Sequence, residues 1–426
     1  MPHSERLYYS DSFLTTFAGA VSGARRAPNS SDENLWQLSL SRSAFYPTSG
    51  GQPFDLGVLR VISPGATPQE IAVEEVTEDE DGAVWHSVRQ SLEAGTEVEG
   101  RIDWDRRFDH MQQHTGQHLL SAIFLRESQA ATVSFHLGES SSTIDLAVAQ
   151  PAQLDLEKVE RISNAMIGED RAVTVCYVSR DEAEAMLAAG ELRKLPEREG
   201  EIRLIDIAGC DRNACGGTHV RSTGQIGGLM LRGIEKVSRG VRVEFVCGLR
   251  AVRAARRDAA ILGESGGLLS IGTPELPAAV RRLLEAAKTH EREHKRLCEE
   301  LAVLLAARLI AEEPVDNGLR LLVREWNDRD RDFVRLLASR TAAAGTSTAV
   351  VFCAKESDPV RVFLARSPDL KLHCGSMMRE ALSRFGLRGG GSPDLAQGDV
   401  AKEQAQALLN SVAEEIRNSV MPQKTD

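Results

Sequence analysis

The sequence predicts an α+β chain with an N-terminal small β-barrel, a mixed α/β core, a long connecting helix and a C-terminal α/β domain. Short runs of alternating polar and apolar residues, separated by turns, fill the first hundred residues. A helical pattern without Gly or Pro covers residues 278–312, and apolar strand-like runs alternate with helical segments beyond it. A chain of 426 residues exceeds one ordinary domain. We expect boundaries that give domains 1–98, 99–250, 251–315 and 316–426.

The barrel prediction depends on three strand candidates rich in β-branched or alternating residues, at 35–40, 58–62 and 70–73. Turns at 49–51 and 64–65 separate them. In the second domain we expect a hairpin from 132–137 and 143–146, helices at 154–168 and 181–189, and a buried strand at 172–178. In the C-terminal domain, the strand candidates are 319–323, 347–353 and 361–365.

Two short motifs predict a metal site. His114 and His118 are four residues apart, and the apolar spacing that follows them indicates a helix, so both imidazoles share one face. Cys215 and His219 are also four apart, with two glycines between them that favour a tight loop. Three His and one Cys form a plausible tetrahedral set for zinc. Each pair alone is also typical of a solvated helix face or a packed core.

Two other groups of Cys and His residues are alternative candidates for binding a metal. The thiol of Cys210 lies five residues before Cys215 and is an alternative ligand. His290 and His294 repeat the spacing of the metal pair on the long helix, where the nearest thiol, Cys298, lacks a His partner of its own. We interpret this second pair as solvated or packed.

The composition excludes several classes of protein. The formal net charge of −11 argues against a general nucleic-acid coat, although a local basic patch is enough for one RNA contact. No apolar run approaches the roughly 20 residues of a membrane helix, and the N-terminus lacks the apolar segment of a secretory signal. Seven scattered cysteines fit reduced thiols. We therefore expect a cytoplasmic protein without membrane contact.

Four more segments occur in order around the metal motifs: 45–57, 224–227, 238–248 and the glycine motif 388–398. Together, these segments resemble the editing domain of alanyl-tRNA synthetase and its free-standing relatives, the AlaX-type alanyl-tRNA editing proteins. The glycine motif is similar to that of the synthetase's C-terminal domain, as in the long form of the free-standing proteins. The resemblance covers nearly the whole chain.

The resemblance implies a hydrolase that removes serine, and also glycine, from wrongly charged tRNA(Ala) while sparing Ala-tRNA(Ala). It implies one zinc ion per chain, held by His114, His118, Cys215 and His219. The zinc-associated water is the expected nucleophile, and no side chain is assigned as catalytic. Zinc with four protein ligands is a closed structural site, whereas three ligands and a water make a catalytic one. Both alternatives stay open.

An editing site that rejects alanine needs polar groups that pair with the serine hydroxyl. Thr132, Ser134 and His136 alternate along one predicted strand, so we expect them to share a face. In the resembled family a polar side chain on this strand reads the hydroxyl, and Phe135 is expected to face the wrong side. Ser134 or His136 is therefore preferred, and Gln52 of the barrel motif is a further substrate-binding candidate.

The C-terminal glycine motif has two interpretations. Gly389, Gly390 and Gly391 form a tight loop in the generic one, whereas the resemblance implies contact with the tRNA or a homodimer through the C-terminal region. Arg384 and Arg388 lead into the motif and are the tRNA-binding cations we expect. Ser392 stands where the synthetases usually have Arg, which removes one cation.

Two further functions stay open beside deacylation of Ser-tRNA(Ala). The chain begins directly at the barrel, so we expect an ATP-independent hydrolase and not a synthetase. It could instead be a zinc-stabilised tRNA-binding or adaptor protein without hydrolytic activity. It could also deacylate tRNA that carries another amino acid such as threonine, because threonyl-tRNA synthetases have a related editing domain.

Overall fold

A computed structural model gives the protein's fold and describes residues 4–28, 32, 34–62, 69–196 and 200–420. The chain divides into two compact units, Met1–Glu264 and Ser265–Asp426. The turn predicted at 64–65 lies outside the described residues, as does the polar tail from residue 421. The finer domain boundaries stay predictions.

The first unit holds four complete helices, the start of a fifth, and sixteen strands within the described residues. The helices are α1 Leu7–Ser10, α2 Trp104–Ser128, α3 Leu156–Gly168, α4 Arg180–Ala188 and α5 Gly248–Leu269, the last of which continues into the second unit. The strands are β1 Glu5–Arg6, β2 Thr16–Arg26, β3 Trp36–Leu40, β4 Arg42–Ser43, β5 Gly57–Val61, β6 Gln69–Val73, β7 Glu75–Glu78, β8 Val84–Val88, β9 Glu97–Ile102, β10 Thr132–Leu137, β11 Ser142–Leu146, β12 Val173–Val178, β13 Ile202–Ile207, β14 Asp211–Ala214, β15 Leu229–Val237 and β16 Gly240–Cys247.

A seven-stranded sheet with the order β6-β5-β9-β2-β3-β8-β7 fills the N-terminal part of the first unit. The long strand β2 curls this sheet, because its first half pairs with β9 and its second half with β3. The register shifts between Val21 and Gly23, where the strand changes partner. The three predicted strands are confirmed as β3, β5 and β6. Closure of the sheet into a barrel stays a prediction.

Helix α2 is the central element of the first unit. The Asp103 carboxylate accepts from Arg106 N at 3.2 Å and caps the helix, and Gln129 ends it in the left-handed conformation with φ 52°. Every residue from His110 to Ser121 is buried. The apolar residues of α2 pack against the sheet β10-β11-β16-β15. Because the polar residues of this stretch are buried as well, they need hydrogen-bond partners inside the first unit.

A three-stranded antiparallel sheet, β12-β13-β14, carries the second metal motif at its end. The prediction of a buried strand at 172–178 is wrong in part: Val175 and Tyr177 on β12 are 39% and 48% exposed. Strand β12 is an edge strand, and only one face of it packs on the core.

The second unit consists of helices α6 Leu276–Glu312, α7 Arg331–Ala344, α8 Cys374–Ser383 and α9 Ala405–Val420, with strands β17 Arg320–Trp326, β18 Thr348–Ala354, β19 Val360–Arg366, β20 Gly389–Gly391 and β21 Leu395–Val400. The sheet order is β17-β18-β19-β21-β20, and only β17 and β18 run parallel. Alternate residues of β18 enter two cores, one with α6 and α7 and the other with α8 and α9.

The predictions of a long helix and of three C-terminal strands are confirmed by α6, β17, β18 and β19. On α6, Leu283, Leu297 and Leu304 follow a seven-residue spacing and are 54%, 55% and 69% exposed. Among the described residues, no helix combines the length and the apolar character that crossing a bilayer requires.

Candidate metal centre

The two predicted ligand pairs come together in one buried cluster. His114 and His118 project from the same face of α2, with ring centroids 5.3 Å apart. The His219 ring lies 4.4 Å from that of His114 and 4.8 Å from that of His118. Cys215 completes the set, and the four ligand atoms lie within 4.8 Å of one another.

The loop after β14 brings Cys215 and His219 back to α2. The Sγ atom of Cys215 lies 3.5 Å from His114 Nε2 and 3.3 Å from His219 Nε2. A Cβ at Gly217 would lie 2.1 Å from Cε1 of His114, so the close approach of loop and helix needs glycine there. Arg203 fixes the loop by donating to the carbonyls of Cys215 and Gly217 at 2.6 and 3.0 Å.

A separate polar group holds the Nδ1 atom of each histidine in the cluster. Gln52 Oε1 lies 2.8 Å from His114 Nδ1, Thr115 Oγ1 lies 3.1 Å from His219 Nδ1, and Asp211 Oδ2 lies 3.3 Å from His118 Nδ1. When Nδ1 donates to one of these oxygens, a neutral ring carries its lone pair on Nε2, the nitrogen that a metal ion would bind. Metal-binding histidines are oriented in this way by partners behind the ligands.

Gln52 lies behind the His114 ring, and its substrate-binding role stays a prediction. We expected this residue to bind substrate, but its side chain is fully buried and its amide lies between His114 and Thr218. Its Oε1 also accepts from Thr218 N at 3.1 Å. Three residues later Asp55 forms an ion pair with Arg107 of α2, in which both side chains are fully buried. The segment 45–57 thus connects His114 of α2 with the loop after β14.

The electrostatics of the cluster favour a bound cation. Burial raises the pKa of the Cys215 thiol, but His114 and His219 outweigh this effect and hold the pKa well below its usual value. Burial lowers the pKa of His118, but Asp211 and Cys215 outweigh this effect and raise it to about 9. Burial, followed by His114, holds the pKa of His219 well below its usual value. The thiolate and Asp211 thus provide negative charge around three nitrogen donors.

This donor set fits a divalent metal ion with tetrahedral preference, because it has one soft thiolate and three imidazoles whose free nitrogens converge. The alternative thiol, Cys210, is outside the cluster. It packs against apolar residues, and burial followed by Asp211 raises its pKa to about 11. The pair His290 and His294 is also outside the cluster, and the His290 side chain is 81% exposed.

Strand β10 lies beside the metal cluster, and a bulge changes which of its residues face α2. The register shifts between Thr132 and Ser134, so Thr132 does not share the exposed face of Ser134 and His136, and the expectation of one common face is wrong for Thr132. Thr132 Oγ1 donates to Ser121 of α2 at 2.8 Å, and the Phe135 ring lies 5.6 Å from that of His114.

The two preferred substrate-reading residues point away from that face. Ser134 is exposed and donates to Asp145 Oδ2 at 2.8 Å, and His136 is exposed as well. Phe135, which was expected to face the wrong side, contacts the metal helix and lies against Gly51, where an added Cβ would come within 2.8 Å of its ring. A strand without the bulge would place alternate residues on alternate faces, as predicted. The residue types alone do not reveal the bulge.

Two buried polar atoms beside the cluster lack a hydrogen-bond partner among the described residues: Nδ1 of His110 and Oε1 of Gln117. At 100° per residue both side chains lie on the same side of the His114–His118 stripe, together with Ser121. Gln117 donates to Ser121 Oγ at 2.7 Å, which in turn accepts from Thr132 of β10. Burial, followed by Arg106, lowers the pKa of His110 to about 3, so the ring is neutral. Neither residue was predicted from the sequence, although His110 precedes His114 by the same four-residue step.

The glycine motif forms edge strand β20 and not the tight loop of the generic interpretation. A Cβ at Gly389 would lie 2.2 Å from Leu382 Cδ1, and one at Gly391 would lie 2.2 Å from Leu395 O. Arg384 forms ion pairs with Glu380 and Glu415 at 3.5 and 3.6 Å. Arg388 is exposed and makes no ion pair with the described residues, so only one of the two predicted cations is available to a ligand.

Two family models match the chain. The model of the threonyl and alanyl tRNA synthetase second additional domain matches residues 202–243, which include the second metal motif. The model of class II (A) tRNA synthetases matches residues 2–106. The first motif's ligands, His114 and His118, lie outside both matched segments.

Curated relatives extend the likeness to almost the whole chain. An alanine–tRNA ligase of Pyrococcus abyssi is 30% identical over 96% of this chain and 44% of its own length. The alanyl-tRNA editing protein Aarsd1-A of Xenopus laevis is 29% identical over 98% of both chains. The chain thus spans less than half of the ligase. A solved C-Ala domain of the Aquifex aeolicus alanyl-tRNA synthetase is 20% identical over 24% of this chain and 96% of its own, with a TM-score of 0.21.

Proposed function

We propose that this chain is an aminoacyl-tRNA deacylase that hydrolyses Ser-tRNA(Ala) and spares Ala-tRNA(Ala). Its similarity to alanine–tRNA ligases and to an alanyl-tRNA editing protein supports this proposal. Glycine-charged tRNA(Ala) is a second expected substrate. The bond is an ester, so placing a water molecule well supplies most of the required catalysis.

One observation carries the proposal: the Nε2 atoms of three histidines and the thiol of Cys215 converge while every Nδ1 is held from behind. Gln52, Thr115 and Asp211 hold the imidazoles in the tautomer that presents Nε2 to the centre. We infer that one zinc ion binds there; a bound zinc ion lowers the pKa of water and polarises an ester carbonyl. The three histidines are buried, which restricts the access of bulk water to their rings.

Selection between serine and alanine requires a buried polar group that the serine hydroxyl can satisfy and alanine cannot. The side of α2 that faces β10 offers such a group in Gln117, whose Oε1 is buried and unpartnered among the described residues. Its amide also extends through Ser121 to Thr132, one of the predicted substrate-binding residues. We therefore place the hydroxyl reader in this network rather than at exposed Ser134 or His136.

The deciding experiment incubates the purified protein with Ser-, Gly-, Ala- and Thr-charged tRNA and measures loss of the amino acid. We expect hydrolysis of Ser-tRNA(Ala) and little action on Ala-tRNA(Ala). Faster hydrolysis of Thr-charged tRNA would favour the threonine alternative. No hydrolysis of any substrate by the zinc-loaded protein would favour a zinc-stabilised tRNA-binding or adaptor protein.

The reader is tested with Gln117→Met, which keeps the side-chain length and removes the amide. We expect slower hydrolysis of Ser-tRNA(Ala) and a smaller ratio between serine and alanine rates. Ser134→Ala on the exposed face of β10 is the matched control and should leave that ratio unchanged. If Ser134→Ala lowers the ratio of serine to alanine rates and Gln117→Met does not, the residue that reads the serine hydroxyl lies on β10.

The second unit, in this proposal, supplies affinity for tRNA or joins two chains. Arg388 is the available cation beside the glycine motif. The seven-residue spacing of exposed Leu283, Leu297 and Leu304 on α6 favours a homodimer through the C-terminal region. Measuring the mass of the protein in solution by light scattering tests the dimer.

A further inference from the structure

A cavity of about 160 Å³ is bordered by the loop that holds Cys215. Its walls include Tyr9, Tyr177, Glu201 and Arg203, and the metal-binding loop contributes Cys215 and Gly216. All of these residues belong to the first unit. The cavity is smaller than the roughly 300 Å³ of the smallest drug-sized sites, so it fits one ring-sized part of a larger molecule.

Arg203 lines this cavity and carries a buried guanidinium, one nitrogen of which has no hydrogen-bond partner among the described residues. The residue is 8% exposed, and its Nε and Nη1 atoms donate to carbonyls of Tyr9, Cys215 and Gly217. Its Nη2 is buried and has no partner among the described residues. A guanidinium stays charged in proteins, and an unmade bond to it is costly, so an acceptor from a ligand would be strongly favoured here.

Two tyrosines form aromatic walls next to this donor. Tyr177 on edge strand β12 is 48% exposed, and its hydroxyl donates to Tyr9 O at 3.2 Å. The guanidinium of Arg203 lies 5.6 Å from the centre of the Tyr9 ring. Exposed aromatic rings beside an Arg are typical of sites where unstacked nucleobases bind.

We propose that this cavity binds a nucleobase of the single-stranded 3′ end of tRNA, with the base on the ring of Tyr177 and an acceptor of its edge paired with Arg203 Nη2. The inference rests on the proposed function, which brings that 3′ end to the metal centre. The shared wall at Cys215 and Gly216 places the base next to the ester that is to be cut.

A base fits the chemistry of the walls better than a free phosphate does. The cavity contains the Glu201 carboxylate as well as the Arg203 guanidinium. A second cavity that shares Tyr9 and Tyr177 is lined by one cation, Arg6, and by the carboxylates of Glu5, Glu78, Glu80 and Asp81. These carboxylates repel a phosphate. Adenine and cytosine each present an amino donor beside a ring acceptor, and every base in the CCA sequence at the end of tRNA has both, so one edge can pair with Glu201 and Arg203 together.

The test measures binding of a 5′-labelled CCA trinucleotide by fluorescence anisotropy, which does not depend on hydrolysis. Stacking of one base contributes roughly 1–3 kcal/mol, so Tyr177→Ala should raise the dissociation constant about fivefold to 150-fold. Val175→Ala, an exposed neighbour on the same strand, is the matched control and should change it less than twofold. Adenosine should displace the trinucleotide, and inorganic phosphate at equal concentration should not.

Unchanged affinity in Tyr177→Ala would overturn the proposal, as would displacement by phosphate but not by adenosine. The outcome is separate from that of the deacylation assay. If the Tyr177→Ala variant hydrolyses Ser-tRNA(Ala) with an unchanged KM, the proposed function is retained and the base-binding site is rejected. Protein that hydrolyses no charged tRNA but binds CCA through Tyr177 keeps this site and loses the proposed activity.

Discussion

The metal loop and the C-terminal glycine motif both depend on glycine, but they use it for different purposes. At Gly217 a Cβ would lie 2.1 Å from His114 Cε1, so glycine there lets a loop approach a ligand side chain. At Gly389 a Cβ would lie 2.2 Å from Leu382 Cδ1, so glycine there lets strand β20 pack against helix α8. Similar motif glycines thus provide access to a site in one unit and tight packing in the other.

The polar groups around the metal loop and around the glycine motif also differ in their arrangement. Around the metal loop, nitrogen atoms of three buried histidines and the sulfur atom of Cys215 converge within 4.8 Å of one another. Around the glycine motif, Arg384 is already paired with two carboxylates and lies on the surface. We infer that chemistry belongs to the first unit, and that the second unit acts through its surface. Four predictions test this contrast.

The largest effect is expected from His114→Ala combined with Cys215→Ala, which removes two of the four ligands. Two remaining imidazoles cannot satisfy a tetrahedral ion, so the protein should lose its bound metal. Elemental analysis of protein purified without added metal checks this, with one zinc per chain expected before mutation. Cys210→Ala is the control and should keep the metal. Full zinc occupancy in the double variant would show that the ion binds elsewhere.

The next effect concerns Gln52, whose Oε1 lies 2.8 Å from Nδ1 of the candidate metal ligand His114. Gln52→Leu removes the acceptor that orients His114 and fixes Thr218, so metal affinity should fall about 10- to 100-fold. Competition with a chromophoric chelator measures it, and Gln69→Leu, at an exposed position of strand β6, is the control. Unchanged metal affinity with impaired hydrolysis would restore the substrate-binding role predicted from sequence.

Much of this first region could be predicted from sequence, for a physical reason. A helix fixes the relative position of residues four apart, so His114 and His118 could be paired without a structure. The partners behind the rings could not be predicted, because Gln52 and Asp211 reach the ligands across 62 and 93 residues. The bulge in β10 was equally hidden, and it reversed which residues face α2.

In the second unit the sequence predicted strands and helices well, because their apolar runs are long. It did not predict that the glycine motif forms a strand, since three glycines have no side-chain pattern from which a strand could be inferred. It also treated Arg384 and Arg388 alike. Only the packing of α8 against α9 reveals that Glu415 lies within reach of one of them.

A packing role for the glycine motif predicts a stability effect. Gly389→Ala places a methyl group against Leu382 and the carbonyl of Gln397, so the free energy of unfolding should fall by about 1–3 kcal/mol. Urea denaturation of the second unit measures it through the fluorescence of Trp326. Gly267→Ala is the control, because a Cβ there meets no atom within 4 Å and helix propensity favours alanine. An equally stable Gly389→Ala variant that loses tRNA binding would instead assign the motif to RNA contact.

The smallest effect separates the two arginines beside the motif. Arg388 is exposed and makes no ion pair within the described part of the chain, whereas Arg384 is held by Glu380 and Glu415. A cation that is already neutralised releases few counterions when it meets a phosphate, so Arg388→Ala should weaken tRNA binding more than Arg384→Ala does. Filter binding of uncharged tRNA at several salt concentrations measures both variants.

Arg388→Ala should make the slope of log binding constant against log salt concentration shallower by the amount expected for the loss of about one phosphate contact. It should leave kcat for deacylation unchanged. The reason is that a contact far from the ester is made equally in the ground and transition states, so it affects KM alone. If Arg384→Ala has the larger effect on affinity, the carboxylates release that arginine when RNA binds. If Arg388→Ala lowers kcat at saturating tRNA, the second unit takes part in the active site, and the division between chemistry and surface contact fails.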